Sequence, residues 1–270
     1  ELRRRNFIRP EALPYVNPLG TRYDSGEFEK NMLAAARLAD WAGFPARREA
    51  ARARGRLLGI GLANYIETAT GIPPERVVVE VLPEGKVRMV IGTQASGQGH
   101  ETAFAQLFVD WLGVPLESVQ LVTGDTDIVK KGSGSPSSRS RRPGGFLAGR
   151  ATSEIVERGK RVAAHKLEAA LSDIEFRNGR FGVAGTDRSL GIFEVAGIAA
   201  AVPDPKVPDP KRDLLVASSE ITKLLPTFPN GCHVCEVEID PDTGVVAVVR
   251  YTVVDDVGTV INPLLVHGQI

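Results

Sequence analysis

Two cysteines in 270 residues are too few for a disulfide framework. Neither sign of charge is in excess, since Lys plus Arg and Asp plus Glu both come to 33. That balance excludes a general binder of nucleic acid or of anionic membrane. No stretch reaches the ~18 apolar residues that would span a bilayer, and the basic start ELRRRNFIRP lacks the apolar core of a signal peptide. Cytoplasm is therefore the expected compartment. What remains is a globular composition, 43% hydrophobic and 24% charged, in a chain long enough to bury about three quarters of its unfolded surface. The chain begins at Glu1 and stops on Val266-His267-Gly268-Gln269-Ile270, where no terminal helix or polar tail is expected. It reads as a piece of a longer protein.

Helical periodicity comes first. Asp24 and Ser25 are suitable N-caps for a helix carrying Phe28, Met32, Ala35, Ala36 and Ala39, and Pro45 opens a second helix that ends at Gly55. Residues 1–55 are accordingly expected to be a helical linking segment. From Arg56 strand signals take over, with a hairpin of RVVVEVLP and VRMVIG around Pro83-Glu84-Gly85-Lys86. A small polar loop, Thr93 to His100, leads into the clearest helix. There Phe104, Leu107, Phe108, Trp111 and Leu112 share one face and Gly113 ends it. A strand at Val119–Val122 completes a strand, glycine loop, helix, strand unit. Thr123 to Gly149 is dense in Gly, Ser, Arg and Pro and is expected to be a long functional loop before a helix over Ala151–Leu171. A short hairpin turns at Asn178-Gly179, Ser189 is expected to cap a short helix, and PDPKVPDPK reads as an extended linker. The closing hairpin is Cys232–Ile239 with Val245–Val254. The expected fold class is α+β, mixed sheets with packed helices, with residues 56–270 as one region and a subdomain break near 200–212.

The loop Gly97-Gln98-Gly99-His100-Glu101-Thr102 opens a helix directly after a strand. Glycines let a ligand approach the backbone, and the unpaired N–H groups of a helix's first turn attract an anion such as phosphate. A tight strand-to-helix turn explains the glycines equally well. Gly92 and Gly97 have P-loop spacing, but Gln98-Gly99 stands where Lys and Ser or Thr are needed, which argues against a nucleotide phosphohydrolase. No third glycine completes a dinucleotide fingerprint. Cys232, His233 and Cys235 make a poor zinc site, since cysteines an odd number apart on a strand face opposite ways and a fourth ligand is wanting; two small buried hydrophobes are the better account. His165 reads as solvated. Ser133 to Arg142 concentrates hydroxyls and arginines able to hold anions, or is a solvated loop. Asp255-Asp256 could serve acid-base work, but such a pair more often ends a strand.

Taken together, GTQASGQGHETAFAQ, GDTDIVKKGSGSPSSRSRRPGG and VVDDVGTVINPLLVHGQI resemble the large, molybdenum-binding subunit of the xanthine dehydrogenase, aldehyde oxidase and carbon monoxide dehydrogenase family. RRRNFIRPEALPY and LADWAGFPARREAARARGRLLGIGLA have the same cast. The resemblance implies a molybdenum ion held by a pyranopterin, molybdopterin or its cytosine dinucleotide, so that the organic ligand and not a Cys or His cluster holds the metal. It assigns Gln98, Gly99, His100, Glu101 and Thr102 to the cofactor at the helix start, Ser135, Ser137, Arg139 and Ser140 to a second cofactor loop, and Gln269 to a third contact. Pro136, Arg141 and Pro143 depart from the pattern of many relatives. The general-base glutamate is expected beyond Ile270 and the substrate-side loop before Glu1, so this piece alone is expected not to turn over. The parent is expected to oxidise or hydroxylate a small molecule, an aldehyde, an N-heterocycle or CO, passing electrons to iron-sulfur and FAD subunits or domains. The alternative is a non-catalytic binding or assembly protein that keeps the scaffold without the cofactor.

Overall fold

Alternation and helical period, read above, become the following elements in a computed structural model that describes residues 1–69, 74–132, 134–136, 138, 140–201, 215–223 and 225–270. They are α1 (Leu2–Asn6), β1 (Tyr15–Val16), β2 (Arg22–Tyr23), α2 (Phe28–Leu38), α3 (Phe44–Ala53), β3 (Leu57–Ile66), β4 (Glu75–Leu82), β5 (Lys86–Ile91), α4 (His100–Leu112) and β6 (Val119–Val122). There follow α5 (Arg141–Lys166), β7 (Ile174–Arg177), β8 (Arg180–Val183), β9 (Ser189–Gly191), α6 (Ile192–Ala201), β10 (Val216–Ile221), β11 (Asn230–Ile239), β12 (Val246–Asp256) and α7 (Pro263–Gln269). The α+β class holds. The PDPKVPDPK linker and the expected break near 200–212 fall on residues outside the described ones, apart from Ala200 and Ala201.

The chain forms two compact units, Glu1–Ala69 with Pro226–Val260, and Thr70–Leu225 with Ile261–Gln269. The boundary expected at residue 55 falls inside the first. There β3 pairs antiparallel with β11 along its whole length, from Leu57 opposite Ile239 to Ile66 opposite Asn230, and β12 pairs with the other side of β11. The helix α2 lies on this three-stranded sheet. Its Met32 and Ala35, with Ala39 just after it, meet Cys232 and Val234 in a small core. Cys232 is buried and Cys235 less so, as opposite strand faces require. At the sheet's edge β12 leaves Val246, Val248, Val249 and Tyr251 more than half exposed.

In the second unit a four-stranded sheet runs β10-β4-β5-β6, antiparallel except for the parallel pair β5 and β6 that α4 connects. Val77, Val79 and Val81 alternate inward on β4, as Val87, Met89 and Ile91 do on β5. Against them pack Phe104, Phe108 and Leu112 of α4 and Leu147, Ala151 and Ile155 of α5. A second sheet, β7-β8-β9, sends Phe181 toward α5, and Gly159 makes the room: a Cβ there would lie 2.2 Å from the Phe181 ring.

Four expectations need correction. The helix α5 starts at Arg141, not Ala151, and ends at Lys166. Pro143 is harmless in a first turn, where its missing N–H has no partner to lose, and the weak propensity of Gly144 and Gly145 is overridden by packing. Ser189 does not cap a helix but pairs in β9, and α6 begins at Ile192 with the Glu194 carboxylate accepting the Gly191 N–H at 3.3 Å. The helix α2 starts at Phe28 without a side-chain cap, beyond Asp24 and Ser25. Finally, the segment before Ile270 is helical: the Asn262 carbonyl oxygen Oδ1 accepts the Leu265 N–H at 3.0 Å and Pro263 supplies the first-turn proline.

Candidate cofactor site

Strand β5 ends at Ile91 and the glycine loop carries the chain into α4. Gly97 and Gly99 both have left-handed backbones, φ 105° and 72°, where a side chain is strained. The space beside Gly97 is open, whereas a Cβ on Gly99 would come within 2.5 Å of Leu265 of α7. Asn262 fixes α7 to α4 from the other side, donating to the Gln106 oxygen at 2.9 Å. Gly99 gives α4 no side-chain cap, so the first-turn N–H groups are left for another acceptor.

The second loop returns to the same place. Gln98 Nε2 donates to Ser135 Oγ at 3.1 Å, Ser135 Oγ bonds Ser140 Oγ, and Ser140 Oγ bonds Thr93 Oγ1. Ser140 stands immediately before α5 but spends its hydroxyl on this network and gives α5 no side-chain cap either. The two helices run side by side. A Cβ at Gly144 would lie 2.8 Å from Phe104, at Gly145 3.7 Å from Leu107 and at Gly149 3.6 Å from Trp111. Both series climb together, so α4 and α5 are parallel and their positive ends share one end of the unit. Aligned dipoles repel, and an anion at that end relieves both.

Two buried polar atoms at this end lack a partner, His100 Nδ1 and Arg141 Nε. His100 is 2% exposed, its ring edge-on to Phe104 at 5.8 Å. Burial, then the charge of Arg141, pushes the imidazole below its ordinary value against a weaker opposite pull from Glu101, so His100 is neutral near pH 7. Arg141 is itself pushed down by burial.

Of the residues assigned from sequence, Gln98, Gly99, His100, Ser135 and Ser140 are thus brought together. Glu101 and Thr102 lie exposed on the first turn of α4. Ser137 and Arg139 lie outside the described residues. Gln269, exposed, follows Leu265 by one turn on the same face of α7. Sequence reasoning missed Leu265 and Asn262, although Asn-Pro before an apolar run is a helix-start signal. It also missed Glu75, a buried carboxylate that accepts the Gly92 N–H at 3.1 Å where Gly132 closes on Gly92; no local signal marked it.

Other candidates fall away. Burial pushes the Cys232 thiol up, away from the thiolate a metal needs. Among the described residues no three of His, Cys, Asp or Glu are grouped to hold a metal ion. Asp255 accepts from Tyr65 at 2.9 Å and lies 3.4 Å from His233, ending β12 in a cluster of the first unit. No helix among the described residues is long and apolar enough to cross a membrane.

Residues 34–270 match the family model for the molybdopterin cofactor-binding domain. The chain belongs to that family. Within it, the chain is 34% identical over its whole length to the 6-hydroxypseudooxynicotine dehydrogenase complex subunit gamma of Paenarthrobacter nicotinovorans and 32% identical to the carbon monoxide dehydrogenase large chain of Afipia carboxidovorans. It spans only 34% and 35% of those relatives. Among solved structures, Cu,Mo-CO dehydrogenase matches with TM-score 0.87 and 32% identity over 99% of this chain and 36% of that one. Quinoline 2-oxidoreductase from Pseudomonas putida 86 matches with TM-score 0.87 and 34% identity, over 100% and 36%. The family is the molybdopterin cofactor-binding one that the three motifs implied. The residues at the α4–α5 end fit such a group: hydroxyls, an amide, a neutral imidazole and an unpaired guanidinium suit phosphate and heterocycle, not a bare cation.

Proposed function

We propose that the shared N-terminal end of α4 and α5 holds the polar and anionic parts of a molybdenum pyranopterin, through Gln98, Gly99, His100, Glu101, Thr102, Ser135, Ser140 and Gln269. Bound there, the cofactor supplies two-electron oxidation with oxygen drawn from water. The chain's own part is binding and orientation. The bare face of Gly97 admits the ligand to the backbone, and the uncapped first turn of α4, with the positive end of α5 beside it, suits an anion. Gln98, tied to Ser135, presents an amide able to donate and accept, and His100 offers a ring nitrogen without bringing a charge of its own. The single observation that carries this reading is the buried, unpartnered Nδ1 of His100 at the mouth of two parallel, uncapped helices.

The parent is then the large subunit of a molybdenum hydroxylase acting on a small molecule such as an aldehyde, an N-heterocycle or CO, and delivering electrons to iron-sulfur and FAD partners. General base and substrate loop are supplied from outside this chain, which is inactive by itself. The test is Gln98→Ala in the full-length subunit. Molybdenum and pterin per chain should fall at least tenfold with the fold retained by circular dichroism. Unchanged molybdenum content and activity would overturn the assignment and favour a scaffold that carries no cofactor.

A further inference from the structure

We propose that Arg141 is the counter-charge for a phosphoryl oxyanion seated between the first turns of α4 and α5. The inference deepens the reading above and rests on it. Arg141 is the first residue of α5, and its Nε is buried without any hydrogen-bond partner. A guanidinium cannot relieve its burial by losing a proton under ordinary conditions, so an unmatched one is held at a cost. Among the described residues no carboxylate offsets that cost: burial is the cause that acts on Arg141, and the nearest acid along α4, Glu101, is exposed and is felt at His100 instead.

Among the described residues three positive sources therefore meet without a carboxylate: the uncapped start of α4, the positive end of α5 and the guanidinium. The enclosed polar side chain beside them, His100, is neutral and also unsatisfied. Hydroxyls cannot supply the missing charge, and Ser135, Ser140 and Thr93 are bonded to one another. A planar carboxylate would reach donors on one side only. A phosphoryl group carries tetrahedrally disposed oxygens and up to two charges, enough for two helix ends and a guanidinium at once. The phosphate ester of a pterin and the pyrophosphate of a dinucleotide share this chemistry.

The experiment uses the full-length subunit, loaded and cofactor-free, as wild type, Arg141→Met, Arg141→Lys and Gln98→Ala. Inorganic phosphate and pyrophosphate are titrated into the cofactor-free forms while the melting temperature is followed, and bound phosphorus and pterin are measured in the loaded forms. Wild type should be stabilised by one or both anions, the stronger of the two indicating phosphate ester or pyrophosphate as the natural group. Arg141→Met should bind the same anion at least tenfold more weakly, yet melt higher than wild type without anion, because the unmatched charge is gone. Arg141→Lys, which keeps the charge and loses the fork, should fall between them and guards against a folding defect in the methionine variant. Equal anion stabilisation in wild type and Arg141→Met would overturn the role of Arg141. If Gln98→Ala still loses cofactor in that case, the site stands and only the counter-charge is wrong. Should neither anion stabilise wild type and neither variant lose cofactor, the reading of the site fails and this inference with it.

Discussion

Arg47 in the first unit and Arg141 in the second are both arginines drawn out of solvent, and they are satisfied in opposite ways. Arg47 donates from Nε and Nη2 to Glu236, whose side chain is 3% exposed, and from Nη1 to Asp40 at 2.6 Å. That pair ties α3 to the middle strand of the β12-β11-β3 sheet and closes its own account within the fold. Arg141 has an open Nε and two helix starts for neighbours. The difference separates a charge matched for architecture from one proposed to meet a ligand: a structural cation has its anion in the same chain, and a binding cation takes its anion from the ligand.

The largest effect should come from making the first arginine resemble the second. Glu236→Ala strips Arg47 of its buried partner and should destabilise the chain by about 3 kcal/mol in urea unfolding. A loss under about 1 kcal/mol would show that an unmatched arginine is cheap here, and would remove the contrast. Next come two glycines with the same backbone angle. Gly55 and Gly99 both stand at φ 72°, but a Cβ on Gly55 meets nothing and one on Gly99 meets Leu265. Each alanine substitution should cost about 1–2 kcal/mol of strain. Only Gly99→Ala should also lower the molybdenum content of the parent; equal content in both variants would deny the glycine loop its special place.

The smallest effect is in acid. His100 has a folded value below its unfolded one, so the unfolded chain takes up the proton first; its contribution to stability is complete above the ordinary histidine value and declines as pH falls through it. Asp240, held low chiefly by its hydrogen bond from Arg56, follows the same sign at more acid pH: its contribution is present above the ordinary carboxylate value and fades below it. His100→Phe should abolish the higher step in a pH series of melting temperatures and leave the lower one. Persistence of the higher step would assign it elsewhere.

Much of this was legible in the sequence because it is local. The valines of β4, the face of α4 from Phe104 to Leu112 and the hairpin turn at Asn178-Gly179 follow from period and turn chemistry. The glycine loop was legible as a candidate site, since bare glycines after a strand and before a helix suit either a ligand's approach to the backbone or a tight turn. What could not be read was decided at a distance. Residues 141–149 look like loop because Gly144, Gly145 and Gly149 are poor helix formers, and they are helical because the segment packs along α4, where Phe104 leaves no room for a side chain at Gly144. The exit of the chain into one unit and its return to the other by way of β11 has no local signature. Arg141 differed from the family pattern on paper, but only burial showed that it lacks a partner.

The strand β12 has a consequence for handling. Among the described residues its outer backbone edge belongs to no ladder, and Val246, Val248, Val249 and Tyr251 stand on that strand with no charge until Arg250 interrupts them. Such a strand is a template. Concentrated alone, the 270-residue chain should thicken into oligomers by adding β12 to β12, and Val248→Lys should keep it dispersed; its colloidal behaviour is then set by a strand that carries none of the residues proposed to hold the cofactor.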